Sequence, residues 1–242
     1  MKRLLPFLFL TVVVAPACAQ EWRVTFSPYF WAAGLSGEVG QFDLPPVHLD
    51  ASFDDIRDDL DFSIMAIVEA RRQRFSLLAD VAYTKTSTGR GTPLGLLASR
   101  VDVKTETTIA LFAAGYSLWQ RDHSHLDLVA GVRVWDARTE LSYNGGVLDG
   151  RAQDDSARWA DGVLGLRGRH FFTERLYVAG WGLIGSGEAE RDWDLAALLG
   201  YQISDRLAAV VGYRALGVDY AHNDFLFDIE QKGPVLGLVH HF

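Results

Sequence analysis

Apolar residues recur at every second position through most of this chain. Trp22, Val24, Phe26, Pro28, Phe30 and Ala32 share one phase, with Arg23, Thr25, Ser27, Tyr29 and Trp31 between them. Phe62–Ala70 and Phe75–Tyr83 repeat the pattern, and Glu69, Arg71 and Asp80 stand on their opposite phase. A fourth row runs Val101, Val103, Thr105, Thr107, Ile109, Leu111 and Ala113, against Asp102, Lys104, Glu106 and Thr108. Leu126–Val134 follows, with Asp127 and Arg133 opposite, then a weaker Ala160–Gly168, with Asp161, Arg167 and Arg169 opposite. Three more rows lie at Leu176–Ile184, Leu195–Ile203 and Leu207–Ala215, the last containing Arg214 on its polar side. The chain ends inside such a row, at Leu236, Leu238, His240 and Phe242. A period of two is the signature of a half-buried strand. Rows of this length match the roughly 9–11 residues that a tilted strand needs to cross a bilayer. They predict an all-β fold of about ten antiparallel strands, an even number that returns both termini to one side.

The connections alternate in length. Short ones fall at Arg72-Gln73, Gln120–Ser124, Phe171–Glu174 and Ser204-Asp205. Long ones span Gly37–Leu60, Thr86–Arg100, Thr139–Arg158, Gly185–Asp194 and Asp219–Asp224. Short turns at one end and longer loops at the other describe a bacterial outer-membrane barrel. In the first long loop, Ser52 precedes Asp54 and Asp55, and Phe53, Ile56 and Leu60 are spaced for one face, which predicts a short capped helix.

Alternation alone does not say which face meets lipid. The apolar rows contain no Asp, Glu, Lys or Arg, as exclusion of charge from hydrocarbon requires. The other face mixes Tyr29, Trp31, Trp135 and Trp181 with glycines, serines and charges of both signs, which is the make-up of a narrow filled lumen rather than of a solvated Lys/Glu surface. Aromatics gather at the strand ends: Trp22, Trp119, Phe172, Tyr201 and Phe242 on the short-turn side, and Phe30, Phe62, Tyr83 and Trp193 on the loop side. They predict two interfacial belts.

Composition narrows the class further. Hydrophobic residues make up 49% of the 242, and nothing beyond residue 20 forms an uncharged apolar run long enough for a spanning helix. Lys2 and Arg3, an apolar Leu4–Val14 and Ala17-Cys18-Ala19 read as a secretory signal over residues 1–19, leaving 20–242 as the mature barrel. Ala15-Pro16-Ala17-Cys18 also admits lipoprotein processing at Cys18. Cleavage after Ala19 removes the one cysteine, so neither disulfides nor thiol ligands are expected. Loss of Lys2 and Arg3 takes the formal charge from −8 to −10, which excludes nucleic acid as a natural partner.

Three stretches, Ser27–Gly40 (SPYFWAAGLSGEVG), Gly212–Tyr220 (GYRALGVDY) and the ending KGPVLGLVHHF, resemble an uncharacterised family of Gram-negative outer-membrane β-barrel proteins. The resemblance covers essentially the whole mature chain and implies residence in the cell outer membrane, with lipid and lipopolysaccharide around the barrel. It also implies delivery by the barrel-assembly machinery through the C-terminal strand. It assigns no catalytic or binding residue, and His240 stands where such endings often carry an aromatic or aliphatic residue.

The candidate chemistry is the inward ionisable set: Glu69, Asp80, Asp102, Glu106, Asp127 and Asp161 against Arg71, Lys104, Arg133, Arg167 and Arg214. A selective pore favours a ring of one sign. Near balance favours cross-lumen pairs, since an unpaired buried charge is costly, and a barrel of this size is narrow enough for side chains to fill. The expected function is a non-enzymatic barrel with an ion-paired, largely plugged lumen and acidic outer loops. A narrow channel for small polar solutes is the alternative, and an outer-rim hydrolase built on Asp219, His222 and Asp224 the third reading. Asp54, Asp55, Asp58 and Asp59 form a candidate Ca²⁺ or Mg²⁺ site, although their spacing is not that of an EF-hand loop. The seven histidines show no HExxH spacing, and no P-loop, dinucleotide fingerprint or nucleophile elbow occurs.

Overall fold

A computed structural model describes residues 22–42, 45–91, 99–223 and 225–242. The signal region with Cys18 and the loop residue Asp224 lie outside them. In chain order the elements are β1 (Arg23–Trp31), β2 (Gly34–Gly40), β3 (Val47–Ala51), α1 (Phe53–Asp58), β4 (Leu60–Arg72), β5 (Phe75–Gly91) and β6 (Arg100–Arg121). They continue as β7 (Ser124–Asn144), β8 (Ala152–Phe171), β9 (Leu176–Gly187), β10 (Arg191–Ser204), β11 (Leu207–His222) and β12 (Phe225–His241).

Ten of these strands close into one antiparallel ring, running β1-β4-β5-β6-β7-β8-β9-β10-β11-β12 and back to β1. The closing pair sets Thr25 opposite His241 and Trp31 opposite Val235, and the Phe242 N–H donates to the Val24 carbonyl at 3.0 Å. The final residue is thus fixed by the first strand. Beyond Trp31 the chain steps aside at Ala32-Ala33. It continues along the outer half of β12 as β2, which pairs in turn with β3. These two strands are additional to the ring.

Tight turns mark one end. Gln73 and Asp122 adopt left-handed backbone, with φ of 54° and 53°, in the hairpins joining β4 to β5 and β6 to β7. At the other end the strands run on well past the expected loop boundaries. β7 reaches Asn144 and β8 starts at Ala152, while β9 and β10 are separated only by residues 188–190. Much of the expected loop sequence is therefore a polar extension of the barrel wall. Outside hydrocarbon a strand no longer needs an apolar row, so its alternation disappears from the sequence although its hydrogen bonds persist.

The outward face carries Phe26, Phe30, Ile64, Leu77, Phe112, Leu128, Leu164, Val211, Leu236 and Leu238, all exposed. This greasy girdle on a closed ring is the lipid-facing surface of a transmembrane barrel. Trp22, Trp119, Phe172, Tyr201 and Phe242 are exposed at its short-turn edge. At the outer edge Phe30 meets Phe53 of α1 edge-on at 5.6 Å and Phe62 lies 6.0 Å from Tyr83. The predicted helix is α1: Ser52 caps it, its side chain accepting from the Asp55 N–H while Asp55 reaches back to the Ser52 N–H at 3.0 Å.

The lumen is filled in layers. Nearest the outer mouth, Trp31, Trp135, Trp159, Tyr220, Phe225 and Phe227 pack with Leu216, Val218 and Ile229. A second apolar layer, Ile67, Leu78, Leu111, Ala113, Val129, Val163 and Leu183, lines the opposite wall lower down. This second layer overturns one expected phase. Ile109, Leu111 and Ala113 of β6 point inward, and Phe112, Tyr116 and Leu118 face lipid. The middle of β6 is apolar on both faces, so a period of two carries no phase information there.

Candidate functional site

The interior charges form two clusters. The middle one is built on β1, β5, β7, β10 and β11, whose inward positions meet at one level. The Arg214 guanidinium contacts Asp194 through Nε (3.1 Å) and Nη2 (2.8 Å), and Asp80 through Nη2 (2.9 Å). It also donates to the Tyr29 hydroxyl (2.8 Å), which in turn donates to Asp80 at 2.8 Å. The rings of Trp31 and Trp181 flank the cation, with centroids 5.1 and 5.3 Å from Cζ. Asp194 also accepts from Arg133 Nη2 (2.9 Å). The other Arg133 Nη bonds Asp192, which accepts from Trp135 Nε1 at 3.1 Å. Three carboxylates thus bind two guanidiniums with a tyrosine between them. Arg133, Asp192 and Asp194 have no more than 1% of their surface exposed. Burial at this level is tolerable only because the partners are complementary and in register.

The lower cluster, towards the short turns, is centred on Glu69. Its carboxylate meets Arg71 Nη2 and Arg167 Nη2, each at 3.0 Å. Arg71 also binds Asp127, which accepts from the Ser117 hydroxyl at 2.7 Å and stands 3.8 Å from His125 Nε2. Arg169 lies over the rings of Phe171 and Tyr177, 5.7 and 5.6 Å from their centroids. Among the described residues it forms no ion pair, and its buried Nε has no hydrogen-bond partner. A cavity of about 90 Å³ opens between these groups.

Asp161 is fully buried near the outer mouth. Its Oδ1 accepts from the Ala189 N–H at 2.8 Å and its Oδ2 has no partner among the described residues. Above Asp161, Trp159 is stacked on Tyr220 (4.1 Å, 8°) and on Trp135 (5.7 Å, 8°), with the edge of Phe227 against both indoles.

The structure therefore brings Glu69, Arg71, Asp127 and Arg167 together in one cluster and Asp80, Arg133 and Arg214 in the other, with Asp161 apart. It does not bring in Lys104 and Glu106. Both stand on the lipid-side face of β6, above the girdle, where Lys104 pairs with Glu106 (3.3 Å) and faces Glu140, and Glu106 meets Lys85. Asp102 shares that face and bonds Arg100 and Asn144. The inverted phase of β6 is the cause of all three corrections. Asp192, Asp194 and Arg169 are members absent from the expected ionisable set, although Arg169 lies on the inward phase that the sequence predicts. The first two fell inside an assumed loop, although Asp192, Asp194, Ala196 and Leu198 continue one inward phase of β10. Arg169 sits two positions beyond Arg167 on the same face of β8.

At the outer rim, His222 and Asp219 fall on opposite faces of an unbroken β11, so their side chains diverge. In α1, Arg57 holds Asp54 (3.0 Å) and Asp58 (3.2 Å), and Asp55 is engaged by Ser52. Among the described residues no three potential metal ligands converge.

No protein-family model matches the chain, and no curated protein matches it. Among solved structures the chain is similar to the outer-membrane protease OmpT of Escherichia coli. The two are 13% identical over 92% of this chain and 97% of that one, with a TM-score of 0.58. The attachment invasion locus protein Ail of Yersinia pestis aligns at 11% identity over 92% of this chain and 100% of its own, with a TM-score of 0.40. The transport unit of the autotransporter AIDA-I of Escherichia coli aligns at 6% over 96% and 94%, with 0.44. The chain has the outer-membrane β-barrel fold of Gram-negative bacteria.

Proposed function

We propose that this chain is a non-enzymatic outer-membrane barrel whose lumen is closed, its polar wall extensions and acidic loops facing outward. The observation that carries this reading is the sealed middle section. Arg133 and Trp135 are 0% exposed, and Trp159 is 1% exposed. Cross-lumen pairs and stacked rings there occupy the space a conducting path would need. The girdle contacts lipid, and the outer wall meets lipopolysaccharide. The closing strand, ending on Phe242, is the segment presented to the barrel-assembly machinery. The acids of α1 are held by Arg57 and Ser52, so no cation enters this proposal.

Planar-bilayer recording from purified protein tests closure. The expected result is no steady single-channel current; steady unitary currents would overturn it and favour a narrow channel for small polar solutes. OmpT is a protease, but proteolysis does not follow from a shared fold, and the opposed His222 and Asp219 argue against an outer-rim dyad here. Peptide and lipid hydrolysis assays are expected to show no turnover. Turnover abolished by His222→Ala would reverse that.

A further inference from the structure

We propose that the lower half of the lumen is a binding site for a short-chain carboxylate, anchored by Arg169. Of the charged groups at this end of the cavity, Arg167 and Arg169 face Glu69, and Arg71 behind them is paired with Asp127, leaving one positive charge in surplus. Arg214, at the upper end of the cavity, is already matched by Asp80 and Asp194. The surplus sits on Arg169, whose guanidinium is held against Tyr177 and Phe171 without an acid partner. A planar fork fixed on aromatic faces is suited to accept a carboxylate. Its position in a chain of formal charge −8 makes a local positive field more telling than it would be in a basic protein.

The rest of the cavity sets the ligand class. Its apolar lining includes Ile67, Leu198, Val210 and Val235, with Ala179 beside Arg169 on the neighbouring strand, which suits a short hydrocarbon body. A single surplus charge matches a monoanion better than a phosphate dianion. Solvent reaches this half: Arg167 is 21% exposed, whereas Arg133 above it has no exposure at all. The ligand therefore enters from the short-turn, periplasmic end and stops beneath the ion-paired layer. The site depends on the cavity and not on closure of the outer half, so a conducting barrel would leave the inference standing.

Saturation-transfer NMR and titration with sodium butyrate, using detergent-folded full-length barrel and sodium chloride as the control salt, test it. Folding of each variant is followed by heat-modifiable gel migration. Saturable binding is expected for the wild type. A loss of roughly tenfold to a hundredfold is expected for Arg169→Met, the range for a charge-assisted hydrogen bond, with a smaller loss for Arg169→Lys. Val210→Phe, which fills the apolar side from a position whose strand neighbours, Gly200 and Gly237, carry no charge, is expected to lose binding as well, and it decides the question if Arg169→Met does not fold. Arg138→Met, on the outer wall, is expected to bind as the wild type does. Absence of saturable binding, or wild-type affinity in a folded Arg169→Met or Val210→Phe, overturns the proposal. Inorganic phosphate displacing butyrate at equal concentration overturns the carboxylate assignment.

Discussion

Outward from Arg133 the lumen is closed by flat rings in contact; inward from Arg214 it is lined by guanidiniums around open space. The same strands build both halves, so the difference lies in side chains alone. Trp135 and Arg133 are two residues apart on β7, and Trp159 and Arg167 are eight apart on β8. The aromatic half is packed by apolar contact. The arginine half keeps a charge unbalanced and a volume reachable by solvent. On the reading proposed above, one sealed layer closes the barrel and the other half is left for binding.

The comparison can be broken at the boundary between the halves. Asp194→Ala removes the acid shared by Arg133 and Arg214 and leaves guanidinium groups buried with too few partners. It is expected to destabilise the folded barrel by about 3–5 kcal/mol, read from urea unfolding in lipid vesicles. Trp159→Ala opens the ring stack and is expected to cost about 3 kcal/mol in the same assay. Trp181→Ala, beside existing space in the lower half, is expected to cost less than half of that. Equal losses for the two tryptophans would erase the distinction between a packed and an open half.

Smaller effects test the wall. Lys104→Cys is expected to react faster than Thr105→Cys with a membrane-impermeant maleimide added outside cells; the reverse order would restore the opposite phase of β6. Lys104→Ala itself is expected to shift stability by no more than about 1 kcal/mol, as for an exposed pair. The smallest effect concerns α1. Hydrogen bonds from Ser52 hold the Asp55 carboxyl below its ordinary value. A lowered folded pKa contributes stability above the unfolded value and loses it as pH falls through the folded one. Hydrogen exchange across residues 53–58 is therefore expected to accelerate relative to the barrel only in strong acid, and no faster at pH 5 than at pH 7.

The ring, its girdle and the capped helix were legible because each has a local signature. Lipid forces a charge-free row, and a helix start needs its Ser and Asp. What was not legible has a common cause. Where β6 is apolar on both faces, as at Ile109–Ala114, nothing local distinguishes lumen from lipid, and Lys104 and Glu106 were carried inside with the wrong phase. Where β10 rises above the bilayer, Asp192 and Asp194 resemble loop residues because polar strands and loops share a composition. The partners of Arg133 come from three strands away, at separations of 59 and 61 residues, and Arg214 reaches Asp80 across the lumen, which no short-range pattern encodes.

The bond from Phe242 to Val24 has a kinetic meaning. Neither β1 nor β12 can satisfy its backbone until the other has arrived, and nearly the whole chain lies between them. Such a contact order makes assembly slow and all-or-none. Removing even a few C-terminal residues is a lesion of completion rather than of local strength: the remaining strands keep their partners, but both flanks of the gap stay unpaired in hydrocarbon.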